Sequence, residues 1–422
     1  MRAKQIGSLS LCVAATVLAS CAPSNGIPAG APMRMAVQRQ SGLQYTVLYS
    51  FGGYPTDGVN PEAGLISLSG MLYGTTAGGG SGCYASGGCG TVFGVTRSGA
   101  ESVLHSFGGG KAGALPYAGL TNVNGVLYGT TGGDASVGGT VYSITTSGAE
   151  SVLYNFKGTP DGSDPHAGLL HVDGTLYGAT VFGGAKHFGT VFRVTTSGRE
   201  TVLYSFLGTP GGGDGKYPDA NPLIFDGTLF GTTYKGGTVD RGTVFKMTRL
   251  GHETVLHSFI GGAAQGSYPR AGLIPFKGMF YGTTSGGGDA ACKGCGKNPG
   301  DGTVFAITPS GRETVIHKFK GYPTDGAFPY GKLLLSNGIF YGTTQSGGAN
   351  CAVSYGCGTI FSITPGGAEK MLYSFLPKEG SSPVAGLIEI NGTFYGATPS
   401  GGAYNHGTIF SLMPANSEDN AK

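Results

Sequence analysis

From residue 44 to residue 413 the chain alternates short runs of apolar, β-branched and aromatic residues with gaps rich in Gly, Asn, Asp and Ser, and nothing in this stretch has a convincing helical period. Runs of this kind read as β-strands. They recur as a set. A Tyr/Phe-Gly-Thr/Ala-Thr segment begins at Tyr73, Tyr128, Tyr177, Phe230, Tyr281, Tyr341 and Tyr395, at intervals of 49 to 60 residues. Each copy is preceded by a Pro-x-Ala/Gly-x-x-Leu-like segment such as PEAGLI. Each is followed by a Gly-rich loop and then Gly-Thr-Val/Ile-Phe/Tyr, starting at Gly90, Gly139, Gly189, Gly242, Gly302, Gly358 and Gly407. A fourth run of the type TVLYSF completes every unit except the last. Self-similarity at such a period is the signature of a repeat architecture.

The connections predict how the strands pair. Asn124-Gly125, Asp173-Gly174 and Asn337-Gly338 join the first and second strands, and these dipeptides suit type I′ hairpins. Ser-Gly turns at Ser98, Ser147, Ser197 and Ser310 join the third and fourth. Each unit is therefore a four-stranded antiparallel meander. TVLYSF lacks clean polar alternation, which points to sheets covered on both faces, and radial stacking in a β-propeller provides that cover. An open solenoid would need polar capping repeats, and neither end carries one. The seventh unit runs from Pro383 to Met413 and lacks a fourth strand, while SGLQYTVLYSF near the start is a fourth strand with no unit before it. Pairing residues 44–51 with the last unit closes a ring of seven four-stranded blades and removes both free edges.

The repeated string LYGTT…GG…GTVF…VLYSF…DG..P..GL, over roughly residues 44–413, resembles the GloVer tandem repeat of bacterial choice-of-anchor surface proteins, and its strand order resembles a kelch blade. The resemblance implies a cell-surface repeat protein and no established chemistry.

Composition changes the picture little. Gly is 83 of 422 residues and charged residues are only 12%. With Arg2 and Lys4 set aside, 24 basic residues face 23 acidic ones. No basic stripe suggests a nucleic-acid partner. The opening MRAKQIGSLSLCVAATVLASC has the layout of a secretory signal over residues 1–20, and Leu18-Ala19-Ser20-Cys21 resembles a bacterial lipobox with Cys21 as the lipidated residue. Ala22 follows it, and residues 21–43 read as a flexible tether, with 414–422 as a tail. The expectation is an exported monomer, anchored by lipid to the cell envelope at the outer membrane or cell surface, with no other membrane contact.

Candidate chemistry belongs to the face that carries the long second-to-third and fourth-to-first loops, because length variation is confined to them. The residue after each rim proline differs in every repeat except two, which share Tyr, while its neighbours barely change: Glu62, Tyr117, His166, Asp219, Arg270, Tyr330 and Val384. Placed just before the axial strand, these side chains should ring one mouth of the channel. His187 and His406, before third strands, are candidates for the same face. Three cysteine pairs, Cys83 with Cys89, Cys292 with Cys295 and Cys351 with Cys357, read as loop disulfides in an exported protein. Asp57, Asp161, Asp214 and Asp325 precede Gly in fourth-to-first loops, where turn chemistry explains them better than calcium. His105, His257 and His317 replace Tyr of VLYSF and, like the Glu that opens each of six fourth strands, belong to the repeat framework. Nothing calls for a cofactor, a metal or a catalytic group. The function expected is a binding module for a glycan or protein ligand; the alternative is a glycan-active enzyme drawing on Glu62, His166, Asp219 and Arg270.

Overall fold

The structure, a computed structural model, describes residues 37–40, 42–83, 87–133, 138–209, 213–288, 300–351 and 355–414. Seven antiparallel sheets form a closed propeller, and the only helical element among the described residues is a three-residue 3-10 turn at Gly110–Ala112. In blade 1 the four strands are Ile66–Leu68, Met71–Thr76, Thr91–Thr96 and Glu101–Ser106, each paired with the next. Blades 2 to 6 repeat this order, with first strands at Thr121–Val123, Leu170–Val172, Leu223–Phe225, Ile274–Phe276 and Leu334–Ser336. Second and third strands are almost wholly buried, whereas fourth strands such as Glu200–Ser205 are half-buried. The turns between first and second strands are the expected mirror-image hairpins: Asn124 and Gly125 have φ of 52° and 87°, and Ser69-Gly70, Asp173-Gly174 and Asn391-Gly392 follow suit.

Two recurrent contacts explain the repeated motifs. The last Thr of each second strand meets the first Thr of the third through their hydroxyls, 2.8 Å apart in all seven blades, as in Thr180 with Thr190. These buried hydroxyls satisfy each other where the ladder opens into the loop. The Gly of Leu-Tyr-Gly makes room for the Phe of Gly-Thr-Val-Phe: a Cβ on Gly178 would sit 2.5 Å from the Phe192 ring.

Closure follows the predicted route. Leu43–Ser50 pairs with Thr408–Pro414, so blade 7 is built from Ile388–Ile390, Thr393–Thr398, Thr408–Pro414 and the leading strand. The Phe after each fourth strand packs edge-on against the aromatic ring in the next blade's third strand. Phe51 reaches Phe93 at 5.1 Å, and the other six pairs lie at 4.9 to 5.4 Å, ending with Phe375 on Phe410. The leading segment thus makes the same interblade contact as every internal repeat. One element was not anticipated. Val37–Gln40, within the stretch assigned to a tether, pairs with Leu43–Thr46 and gives blade 7 a fifth, outer strand. The physical reason is that the leading strand offers a free edge, and backbone groups there gain partners.

Candidate functional site

The linker from each fourth strand to the next first strand pairs with the second-to-third loop, for example Gly58–Val59 with Gly78–Gly79, which places both long loops on one face. Each linker ends in a strained step. Asn60, Leu115, Asp164, Tyr217, Tyr268, Phe328 and Ser382 precede the rim prolines and have φ of 55° to 60°. Non-glycine residues seldom adopt this conformation, and a following proline restricts them further. Main-chain bonds hold it in place. The Asn60 N–H donates to the His406 carbonyl of blade 7 at 3.0 Å, and its own carbonyl accepts from Ala77 N–H of blade 1 at 2.9 Å. Tyr217 is held the same way between Phe188 and Tyr234.

The next two residues are the proline and the rim side chain. Glu62, Tyr117, His166, Asp219, Arg270, Tyr330 and Val384 all line one axial cavity of about 940 Å³. Two residues further along, Gly64, Gly119, Gly168, Gly272 and Gly386 form a neck with Asn221 and Lys332. Adjacent backbones crowd here: a Cβ on Gly386 would lie 2.6 Å from the Lys332 carbonyl, and one on Gly119 3.1 Å from that of Gly64. Glycine at five of the seven places lets neighbouring backbones approach this closely. Asn221 accepts from Gly168 N–H at 2.7 Å through its side chain. Lys332 projects into the lumen, and the surrounding protein lowers its ammonium pKa by desolvation.

Charge is concentrated on one side of the ring. His166 lies between two carboxylates, with Nε2 3.2 Å from Asp164 and Nδ1 3.4 Å from Asp219. Burial alone would discharge the imidazole, but the Asp164 and Asp219 carboxylates beside it outweigh burial and hold the pKa up at about 9. The other Asp219 oxygen accepts from Arg270 Nη1 at 2.9 Å. Burial works against the Asp219 anion, yet His166 and Arg270 keep its pKa below the ordinary value. The Arg270 guanidinium lies 4.0 Å over the Tyr234 ring and 5.2 Å from that of Tyr330. Tyr117 packs against His166 with ring centroids 4.6 Å apart. Opposite in behaviour is Glu62, whose pKa is raised by burial against the lowering charge of His166. The result is a surface of alternating, mutually paired charge with the rings of Tyr117 and Tyr330 in its wall.

The two candidate histidines outside the rim are not part of this wall. The His187 ring contacts the Thr159 hydroxyl at 3.0 Å, and His406 packs over Gly53, both in peripheral loops. Cys83–Cys89 and Cys351–Cys357 form disulfides within second-to-third loops, with Cα atoms 5.4 and 5.5 Å apart. Cys21, Cys292 and Cys295 lie outside the described residues. The loop aspartates serve their turns: Asp57 accepts from the N–H groups of Gly52 and Gly58 and from the Tyr49 hydroxyl at 2.8 Å. Asp164, Tyr234, Asn221 and Lys332 were missed by the sequence reading. The last two had a signal, since they break an otherwise all-glycine column of the repeat.

These features define a seven-bladed propeller with a ligand-sized, charged cavity at one mouth of its channel. The chain belongs to the Gloeobacter/Verrucomicrobia repeat family, whose pattern matches residues 26–169, 132–353 and 291–420. No curated protein matches it at the sequence level. Among solved structures, the chain is similar to hydrazine synthase of Kuenenia stuttgartiensis (13% identity, TM-score 0.53, covering 85% of this chain and 97% of that one). It is also similar to a gluconolactonase of Xanthomonas campestris (11%, 0.40, 90% and 94%) and to a quinohemoprotein alcohol dehydrogenase of Comamonas testosteroni (12%, 0.46, 87% and 76%). At these identities the likeness is one of fold.

Proposed function

We propose that the protein is a binding module that takes a glycan or protein ligand into the mouth of its channel, displayed on the bacterial cell envelope by lipid on Cys21. One observation carries the reading. At a single repeat position, on an otherwise constant framework, side chains of different chemistry from all seven blades converge on one cavity. The charged groups are already engaged with each other and with aromatic faces, so little ordering entropy remains to be lost on binding. Tyr117 and Tyr330 offer stacking surfaces, and Glu62 and Lys332 offer polar groups without an ion-pair partner among the described residues.

A second reading has its own support. Glu62 and Asp219 share the cavity with pKa values pushed apart, the pattern of an acid and a base in glycan cleavage. Against it, both Asp219 oxygens are occupied, one by His166 and one by Arg270. Both partners stabilise the anion and so weaken it as a base or nucleophile.

The test is a glycan and protein array probed with the wild-type protein and with a triple variant, His166→Ala, Asp219→Ala and Arg270→Ala. Binding that disappears in the triple variant supports the module. Binding that survives it, or absence of any ligand, removes the rim from the account, and turnover of a bound glycan favours the enzyme.

A further inference from the structure

Away from the channel, four of the seven junctions between neighbouring blades bring the same three kinds of side chain together. One is the Tyr or His near the end of a fourth strand, the second is the acid in the following loop, and the third is the Glu that opens the next fourth strand. The repeats act as controls for one another. At the junctions of blades 7 and 1 and of blades 2 and 3, the phenol donates to the loop acid: Tyr49 to Asp57 and Tyr154 to Asp161, both at 2.8 Å. At two others His105 and His257 face loops that carry no acid at that place. Only the junction of blades 5 and 6 joins an imidazole to both carboxylates.

There His317, Asp325 and Glu369 bring one ligand atom each to within 4.8 Å of one another. The His317 Nε2 atom is 3.4 Å from Asp325 Oδ2. Unlike the longer phenol, it makes no hydrogen bond; Glu369 Oε1 is also buried without a partner, as is the same oxygen of Glu101, Glu150, Glu200, Glu253 and Glu313, so what sets this junction apart is the imidazole beside two carboxylates. The first two groups are held from behind. The His317 ring packs edge-on against Phe319 at 4.7 Å, and Asp325 accepts from the N–H groups of Lys320 and Gly326 at 3.0 and 2.6 Å. Outer contacts of this kind orient metal ligands. Asp325 is only 7% exposed, so water does little to solvate the group.

The geometry points to a divalent transition-metal site of His317, Asp325 and Glu369, stitching blade 5 to blade 6. One imidazole nitrogen with two carboxylates is the ligand set of zinc and its neighbours, whereas calcium and magnesium take oxygen alone. Two anions balance the charge of the ion, and a modest contraction of the three side chains brings their atoms to coordination distance. The site is independent of the channel and of its ligand.

The experiment uses the whole protein, stripped with chelator and titrated with zinc by calorimetry and with cobalt by visible absorption. Expected are one equivalent of zinc bound at this junction, a cobalt spectrum with a nitrogen ligand, and a rise in melting temperature on adding zinc. His317→Tyr installs the residue that three other junctions combine with Asp and Glu, so it should fold while losing at least about a hundredfold in affinity. Tyr204→His, beside Asp214 and Glu253, should add a second equivalent. Failure of the wild-type protein to bind zinc or cobalt at millimolar concentration overturns the site, as does unchanged binding in a folded His317→Tyr variant.

Discussion

Tyr45 is where ring closure can be measured. It stands where six other fourth strands carry Glu, is wholly buried, and stacks on Tyr373 at 4.2 Å with Phe410 at 5.4 Å and Phe375 edge-on at 5.8 Å. Its hydroxyl donates to the Glu379 carbonyl at 3.0 Å. Truncating a buried aromatic costs about 3–5 kcal/mol through lost transfer energy and the cavity left behind. Tyr45→Ala should fall in that range, a shift of roughly three decades in the folding equilibrium. Tyr45→Phe keeps the stacking and loses only the hydrogen bond, worth about 1 kcal/mol. The loss is limited because the Glu379 carbonyl still accepts from Thr408. Urea unfolding, with stability extrapolated to water, gives both values. Amide exchange should show faster opening of residues 43–50 in the Ala variant than in the Phe variant. If Tyr45→Ala costs less than about 1 kcal/mol and leaves exchange of the strand unchanged, the leading segment does not hold the ring shut.

Two further outcomes are expected. Burial, then the Asp57 charge, raises Glu101 to about 8, and burial with the nearby loop acid raises Glu200 and Glu253 to about 7. A carboxyl whose pKa is higher folded than unfolded adds stability at low pH and loses it as pH rises through the folded value. The melting temperature should therefore fall between about pH 5 and pH 8, less so in Glu101→Gln, and a rise over that range contradicts the buried placement. Gly178→Ala places a Cβ 2.5 Å from the Phe192 ring and should cost about 1–3 kcal/mol by overpacking, whereas an unchanged thermal melt would show that the ring is free to move away.

The fold was legible because its determinants are periodic and local. Hairpin dipeptides, strand runs and the missing fourth strand are all written within each unit, and blade number and closure follow from counting. Val37–Gln40 was not legible. Its sequence VQRQ has no strand pattern, and its pairing uses backbone groups that any sequence supplies. The rim was found through one variable column, yet its wiring was hidden. Asp164 reaches His166 because the left-handed residue before the proline turns the chain back, and a φ of 58° leaves no mark on the sequence. Asp219 and Arg270 are 51 positions apart and meet only because successive blades place them side by side.

The same framework explains why the rim can vary without disturbing the propeller. The repeated residues are locked into one another: Thr180 needs Thr190, Gly178 makes room for Phe192, and Phe156 needs the Phe192 edge. A change in any of them leaves a partner unsatisfied. The linker step, by contrast, is held by main-chain N–H and carbonyl groups, which do not depend on the side chain that follows. A rim residue therefore inherits its position from the backbone and contributes its own chemistry to the cavity. Glu, Tyr, His, Asp, Arg and Val all occupy that place in one chain. Ligand preference is in this sense separable from folding. Exchanging rim residues between blades should alter what binds while leaving the closed ring intact.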